Sequence, residues 1–263
     1  MRSKAKRNSG GRRGPRSGAR RRTRVRQQAF EFKSWGGARR GAGRKPKGER
    51  SGMSHRSRPT HAASAPVQIT TRLHAGLGSL RRPEELALIR RALARSRAEG
   101  TFQVVHHSVQ SNHLHLIVEA QDRVALSLGM RGLLVRIARA LNRLWRRRGS
   151  VFADRFHERE LRTPREVRHS LVYVLQNARK HGIGFRGPDP YSSGDRFDGW
   201  LNACELERAP LASGREAGTR AAWRELLERS VGAARTWLLS AGWKRCGLIR
   251  TGESPRPAVS RVR

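Results

Sequence analysis

Two periodicities alternate along the middle of the chain and predict strands and helices in turn. Residues 67–73, 102–110 and 113–120 alternate as strands, and 151–161 forms a further extended segment. Helical spacing of apolar residues runs from Pro83 to about residue 99 and again over about 124–146. A third helix begins with the capping box at Thr163 and ends at Gly182. The predicted order is β-α-β-β-α-β-α.

This order predicts an α+β protein. Its first six elements describe a ferredoxin-like βαββαβ sandwich, in which two helices cover an antiparallel sheet. The seventh element is an additional C-terminal helix, and it carries Tyr173. Leucines and isoleucines of the second helix are its predicted core positions: Leu128, Leu133, Ile137, Leu141 and Leu144. About 120 residues with this apolar content can form one core.

Composition divides the rest of the chain. Residues 1–62 are rich in Arg, Lys, Gly and Ser and are predicted to be a disordered basic DNA-binding arm. Residues 63–184 form the predicted catalytic domain. Residues 185–250 are predicted to be a helical appendage, with helical spacing over 211–243, and residues 251–263 a disordered tail.

The charge of the chain points to nucleic acid. There are 57 Lys and Arg against 20 Asp and Glu, a formal net charge of +37. Residues 1–60 carry 21 of these basic residues against two glutamates, so more than half of the basic residues lie beyond the arm. Such an excess predicts salt-dependent contacts with phosphates. Cys204 and Cys246 match neither a disulfide framework nor a paired metal-ligand motif. The sequence contains no run of about 18 apolar residues, so no membrane span is predicted.

The arm contains a short Gly-Arg-Lys-Pro segment within residues 41–48. An extended Arg/Lys segment without bulky side chains can enter a minor groove about 6 Å wide, as A·T-hook segments do. A generic basic linker explains the composition equally well. The predicted DNA-binding residues of this region are Arg39, Arg40, Arg44, Lys45 and Lys47.

The candidate chemistry lies in two short motifs. Strand alternation places His113 and His115 on one face, and helical spacing places Tyr173 and Asn177 one turn apart. A His-x-His pair alone arises easily by chance, and a lone helical tyrosine is usually a packing residue. Together, two imidazoles and an amide could hold a cation beside a phenol, which suits covalent chemistry at a phosphodiester. His106 and His107 form no comparable pair and are expected on the surface or in a DNA-facing patch.

Residues 66–182 resemble the REP-associated tyrosine transposases, a branch of the single-tyrosine HUH transposases of insertion sequences. The resemblance rests on three motifs in order: Asn112-His113-Leu114-His115-Leu116-Ile117-Val118, Asp154-Arg155-Phe156-His157, and Tyr173-Val174-Leu175-Gln176-Asn177 with Lys180-His181-Gly182. Residues 41–46 and 189–193 also look like flanking features of such proteins. The resemblance implies a ferredoxin-like fold and a single-strand DNA transposase with a 5′-phosphotyrosine intermediate on Tyr173.

The resemblance also implies Mg²⁺ or Mn²⁺ on His113, His115 and Asn177, and Arg155 as a further DNA contact. Insertion-sequence relatives commonly have glutamine as the third ligand, and Asn177 offers the same oxygen on a shorter stem. By ligand preference alone, imidazoles suit zinc at least as well. Tyr191, which follows a proline outside the helix, is the weaker alternative nucleophile.

The implied partner is single-stranded DNA with hairpin or repeat ends, bound by a monomer or homodimer in the bacterial cytoplasm near the nucleoid, with no membrane. Two alternatives remain open. One is a catalytically silent, domesticated DNA-binding protein that recognises hairpin repeats. The other is an RNA-binding module or RNase, which is less supported because the central strands lack an aromatic stacking pair.

Overall fold

The computed structural model describes residues 60–96, 100–180, 187–202 and 225–253. Its strands and main helices are, in chain order, β1 (Val67–Arg72), α1 (Pro83–Ser96), β2 (Phe102–Val109), β3 (His113–Ala120), α2 (Arg123–Leu144), β4 (His157–Glu160), α3 (Pro164–Leu175) and α4 (Asn177–Lys180). Beyond them lie a 3₁₀ turn (Gly194–Arg196), helical residues 225–230, α5 (Trp237–Ser240) and a second 3₁₀ turn (Gly242–Cys246).

The four strands form one antiparallel sheet in the order β2-β3-β1-β4. Because each neighbouring pair is antiparallel, β1 and β2 are parallel to each other with β3 between them. In the same way β3 and β4 are parallel with β1 between them. The chain therefore contains two interleaved β-α-β units, connected through α1 and α2. The predicted mixed α/β architecture with an antiparallel sheet is confirmed.

Strand alternation sends the apolar side chains of β3 to a core under α1 and α2. Leu114, Leu116 and Val118 are buried there with residues of both helices. Helix α2 lies so close to the sheet that a Cβ on Gly129 would come within 2.2 Å of the Phe102 ring. This contact explains why a glycine stands in the middle of a long helix, despite its cost of about 1 kcal/mol relative to alanine.

On the opposite side of the sheet, α3 packs over β2 and β3. Its core joins Ile117 to apolar residues of α3 and to side chains from residues 197–200 and 239–249, including Phe197, Trp200 and Trp243. Glu119 ties this later segment to the sheet, since its carboxylate accepts hydrogen bonds from the backbone N–H and hydroxyl of Thr236 at 2.8 and 2.7 Å. Residues 187–202 and 225–253 thus contribute directly to the core.

Several predicted elements differ in extent. The third helix breaks at Gln176, whose φ of −118° is outside the helical range, so α3 and α4 are separate. The extended segment 151–161 pairs as a strand only over β4. Helical spacing over 211–243 is interrupted within the described part of that segment, because residues 231–235 are not helical. Leu128 is 58% exposed rather than buried. No described helix is both long and apolar enough to cross a membrane.

Candidate phosphodiester site

The imidazole pair lies on the α3 side of β3. His113 and His115 alternate with Leu114 and Leu116, which point into the opposite core. The two imidazole rings meet edge to face, with centroids 4.6 Å apart. His115 is buried, whereas His113 is partly exposed at the start of the strand.

Hydrogen bonds orient both rings through Nδ1. His113 Nδ1 lies 2.8 Å from Asn112 Oδ1, and because an amide oxygen can only accept, Nδ1 carries the proton and donates it. His115 Nδ1 lies 3.0 Å from the hydroxyl of Thr70. Thr70 and His115 are direct partners across β1 and β3. With Nδ1 engaged in each ring, a cation would be bound through Nε2, the usual arrangement of a metal-ligating histidine.

Tyr173 reaches the same place from α3. Its ring is partly exposed and meets the His115 ring edge to face, with centroids 4.9 Å apart. The start of α3 is held by reciprocal hydrogen bonds between Thr163 and Glu166, with Pro164 in the first turn. The structure therefore brings the predicted tyrosine against the predicted histidine pair.

Asn177 begins α4 just after the break at Gln176. The residue is 1% exposed, and within the described part of the chain neither its amide oxygen nor its amide nitrogen has a hydrogen-bond partner. A buried polar group left in this state costs about 1–3 kcal/mol, and an external ligand for the amide would remove that cost.

These donors fit a divalent cation. Two imidazole nitrogens and one amide oxygen are common metal ligands, and the orphaned Asn177 amide is the structural observation in favour. Within the described residues there is no group of three His, Cys, Asp or Glu side chains that could hold a metal.

The other predicted site residues belong to other segments of the chain. Arg155 is exposed in the loop before β4, where its backbone N–H donates to the Asp154 carboxylate at 2.7 Å. Tyr191 lies under the Arg81 guanidinium, 4.4 Å from its ring centroid, in the segment along the outer edge of β2. The predicted arm residues Arg39, Arg40, Arg44, Lys45 and Lys47 lie outside the described residues.

The expectation for His106 and His107 was wrong, because both are buried. Residues 191–193 pair along the outer edge of β2, so this strand is enclosed on both faces and at its edge. Burial lowers the pKa of His106 to about 4 and that of His107 well below its usual value. The two rings are thus neutral packing groups. The roles of Thr70 and Asn112 were also missed, although Asn112 directly precedes His113 in the sequence.

No protein-family model matches the chain, and no curated protein matches it. The solved structure of a REP-associated tyrosine transposase bound to a REP hairpin matches with 20% sequence identity and a TM-score of 0.47. The match covers 62% of this chain and 93% of that one. A likeness of this strength assigns no role to any residue.

Proposed function

We propose that this protein is a single-strand DNA transposase that cleaves and rejoins DNA through a 5′-phosphotyrosine on Tyr173. The observation that carries the proposal is the contact of the Tyr173 ring with His115, itself 4.6 Å from His113. A phenol beside an oriented imidazole pair is the arrangement that metal-assisted transesterification needs. The strand order β2-β3-β1-β4 agrees with the ferredoxin-like fold that accompanies this chemistry in the proposed family.

The proposed reaction exchanges one phosphoester for another. The Tyr173 oxygen forms a bond to phosphorus as the bond to the 3′-oxygen of the preceding nucleotide breaks. The phenol loses its proton and the departing 3′-oxygen gains one, so charge and atoms balance. Attack by a 3′-hydroxyl on the phosphotyrosine then reverses these steps and rejoins the DNA.

His113, His115 and Asn177 are the groups that would hold the cation, as Mg²⁺ or Mn²⁺ by family resemblance. When bound, the cation would supply positive charge at the scissile phosphate. Thr70 and Asn112 contact Nδ1 of the two imidazoles, which would leave Nε2 of each ring for the cation. The partial exposure of Tyr173 and His113 leaves the site open to a phosphate from solvent.

The charge of the chain favours a nucleic-acid substrate and also supports a second candidate function. A net charge of +37 would by itself give sequence-independent affinity for DNA. A domesticated protein that only holds hairpin repeats would retain this affinity without the covalent step. The two functions differ in whether Tyr173 forms a bond to DNA.

The test is covalent capture of labelled single-stranded hairpin DNA, made from the inverted repeats that flank the gene, with Mn²⁺. The full-length protein should give a denaturant-resistant adduct that peptide mapping places on Tyr173. Tyr191→Phe is a matched control, because the chain has only two tyrosines. It should still form the adduct, whereas Tyr173→Phe should not. An adduct on Tyr191, or equal DNA binding with no adduct at all, contradicts the proposal.

A further inference from the structure

On the α3 side of the sheet, helix α3 packs over β2 and β3. The side chains of β1 and β4 on this side are exposed or half-buried. Strand register identifies the side chains that point to this side. Thr70 pairs with both His115 and His157, so these three side chains share a face.

The same register places the side chains of further cross-strand partners on this face. Gln68 pairs with Ile117 of the α3-side core and with Arg159, and Arg72 pairs with His113. These five side chains form the open sheet face: Gln68, Thr70, Arg72, His157 and Arg159. Arg72, His157 and Arg159 are exposed, and Gln68 and Thr70 are half-buried.

The basic and acidic side chains of β4 point to opposite faces of the sheet. Its sequence His-Glu-Arg-Glu alternates, so His157 and Arg159 point to the open sheet face while Glu158 and Glu160 point away. The two strands place no acidic side chain on this face. The nearest identified carboxylate is Glu166 at the start of α3, 3.4 Å from Arg159, and it is also engaged in capping that helix.

The open sheet face adjoins the candidate site. Thr70 lies on it and also touches His115 Nδ1 at 3.0 Å. On α3, His169 is exposed one turn before Tyr173, on the same side of the helix. The face and this exposed side of α3 thus meet where a scissile phosphate would contact Tyr173.

We propose that the open sheet face binds the single-stranded DNA that flanks the scissile phosphate, with phosphates on Arg72 and Arg159 and an unpaired base on His157. This inference rests on the proposed function of Tyr173. Arg159 pairs with Gln68, which lies four residues before Arg72 on β1, a distance of about 13 Å along the strand. The two arginines would therefore reach different phosphates.

The chemistry favours a single strand over a duplex. Imidazole rings and guanidinium planes stack on the faces of unpaired bases, which base stacking conceals in a duplex. A partner protein would have to be acidic to match this face. The proposed single-stranded substrate already supplies both phosphates and unpaired bases at the adjoining site.

Equilibrium binding tests this without catalysis. Fluorescence anisotropy would measure binding of a labelled single-stranded oligonucleotide to the full chain in EDTA, as a function of salt. The double variant Arg72→Gln/Arg159→Gln should bind about tenfold more weakly or worse. Its slope of log K against log salt should be shallower by about 1.4, since each single-strand phosphate contact contributes about 0.7.

The matched control is Arg91→Gln/Arg95→Gln, which removes the same charge from exposed positions of α1 on the other side of the sheet. It should bind like the wild type. For stacking, His157→Ala should weaken binding about fivefold and His157→Phe should restore it. Wild-type binding by the Arg72/Arg159 variant, or an equal loss in the control, overturns the inference. The inference is also overturned if a duplex with the same number of phosphates binds as tightly as the single strand and loses as much affinity in the Arg72/Arg159 variant.

The outcome is separable from the proposed function. An adduct on Tyr173 together with normal binding by the Arg72/Arg159 variant rejects the open sheet face alone. Weakened binding by that variant, with no adduct in the wild type, rejects the covalent chemistry and leaves the binding face in place.

Discussion

Replacing Asn177 by leucine should make the metal-free protein more stable, an unusual result for a buried polar residue. The residue is 1% exposed, and both polar atoms of its amide lack hydrogen-bond partners among the residues that the structure describes. Leucine has a similar size and removes the cost of burying them, about 1–3 kcal/mol. Urea unfolding in EDTA should therefore show a free energy of unfolding increased by about that amount.

The adjacent residue provides a control of opposite sign. Gln176 is also buried, but its side-chain N–H donates to the backbone oxygen of Arg250. Gln176→Leu leaves that oxygen without its donor and should lower the free energy of unfolding by about 1–3 kcal/mol. Two neighbouring buried amides thus give opposite effects because only one of them is satisfied within the chain.

Added Mn²⁺ should make the wild type more stable than Asn177→Leu, the reverse of the order expected in EDTA. A cation at 100 times its dissociation constant stabilises the wild type by about 2.7 kcal/mol, and Asn177→Leu should lose most of this gain. If Asn177→Leu destabilises the protein in EDTA as much as Gln176→Leu does, then the amide has a partner within the chain. That result would refute the proposal that Asn177 is a metal ligand.

Three further predictions concern the surrounding groups. Thr70→Val should weaken Mn²⁺ binding measured by calorimetry about 10–100-fold, and Thr70→Ser should retain it, because the hydroxyl orients His115. Glu119→Gln should lower the free energy of unfolding in urea by about 1.5–3 kcal/mol through weaker bonds to Thr236. Burial lowers the pKa of His106 to about 4, so the contribution of the neutral ring to stability is complete above about pH 6.5 and is lost as pH falls toward 4. In His106→Asn the free energy of unfolding in urea should therefore depend less on pH over that range.

Local patterns in the sequence identified much of the candidate site. The two-residue period of β3 places His113 and His115 on one face wherever the strand lies. The capping box at Thr163 defines the start of α3, and helical spacing from that start sets the side of α3 on which Tyr173 lies. These properties depend on neighbours within a few residues, so they can be read before the fold is known.

Only the tertiary structure decided what covers each face. His106 and His107 are buried because residues 191–193, more than 80 positions later, pair along the edge of β2. Thr70 orients His115 because the antiparallel register joins positions 45 residues apart. Periodicity specifies which side chains share a face, but the element packed against that face is chosen by contacts between distant segments. The sequence therefore indicated the histidine pair and the tyrosine, and the fold supplied their contact, their orienting partners and the open sheet face beside them.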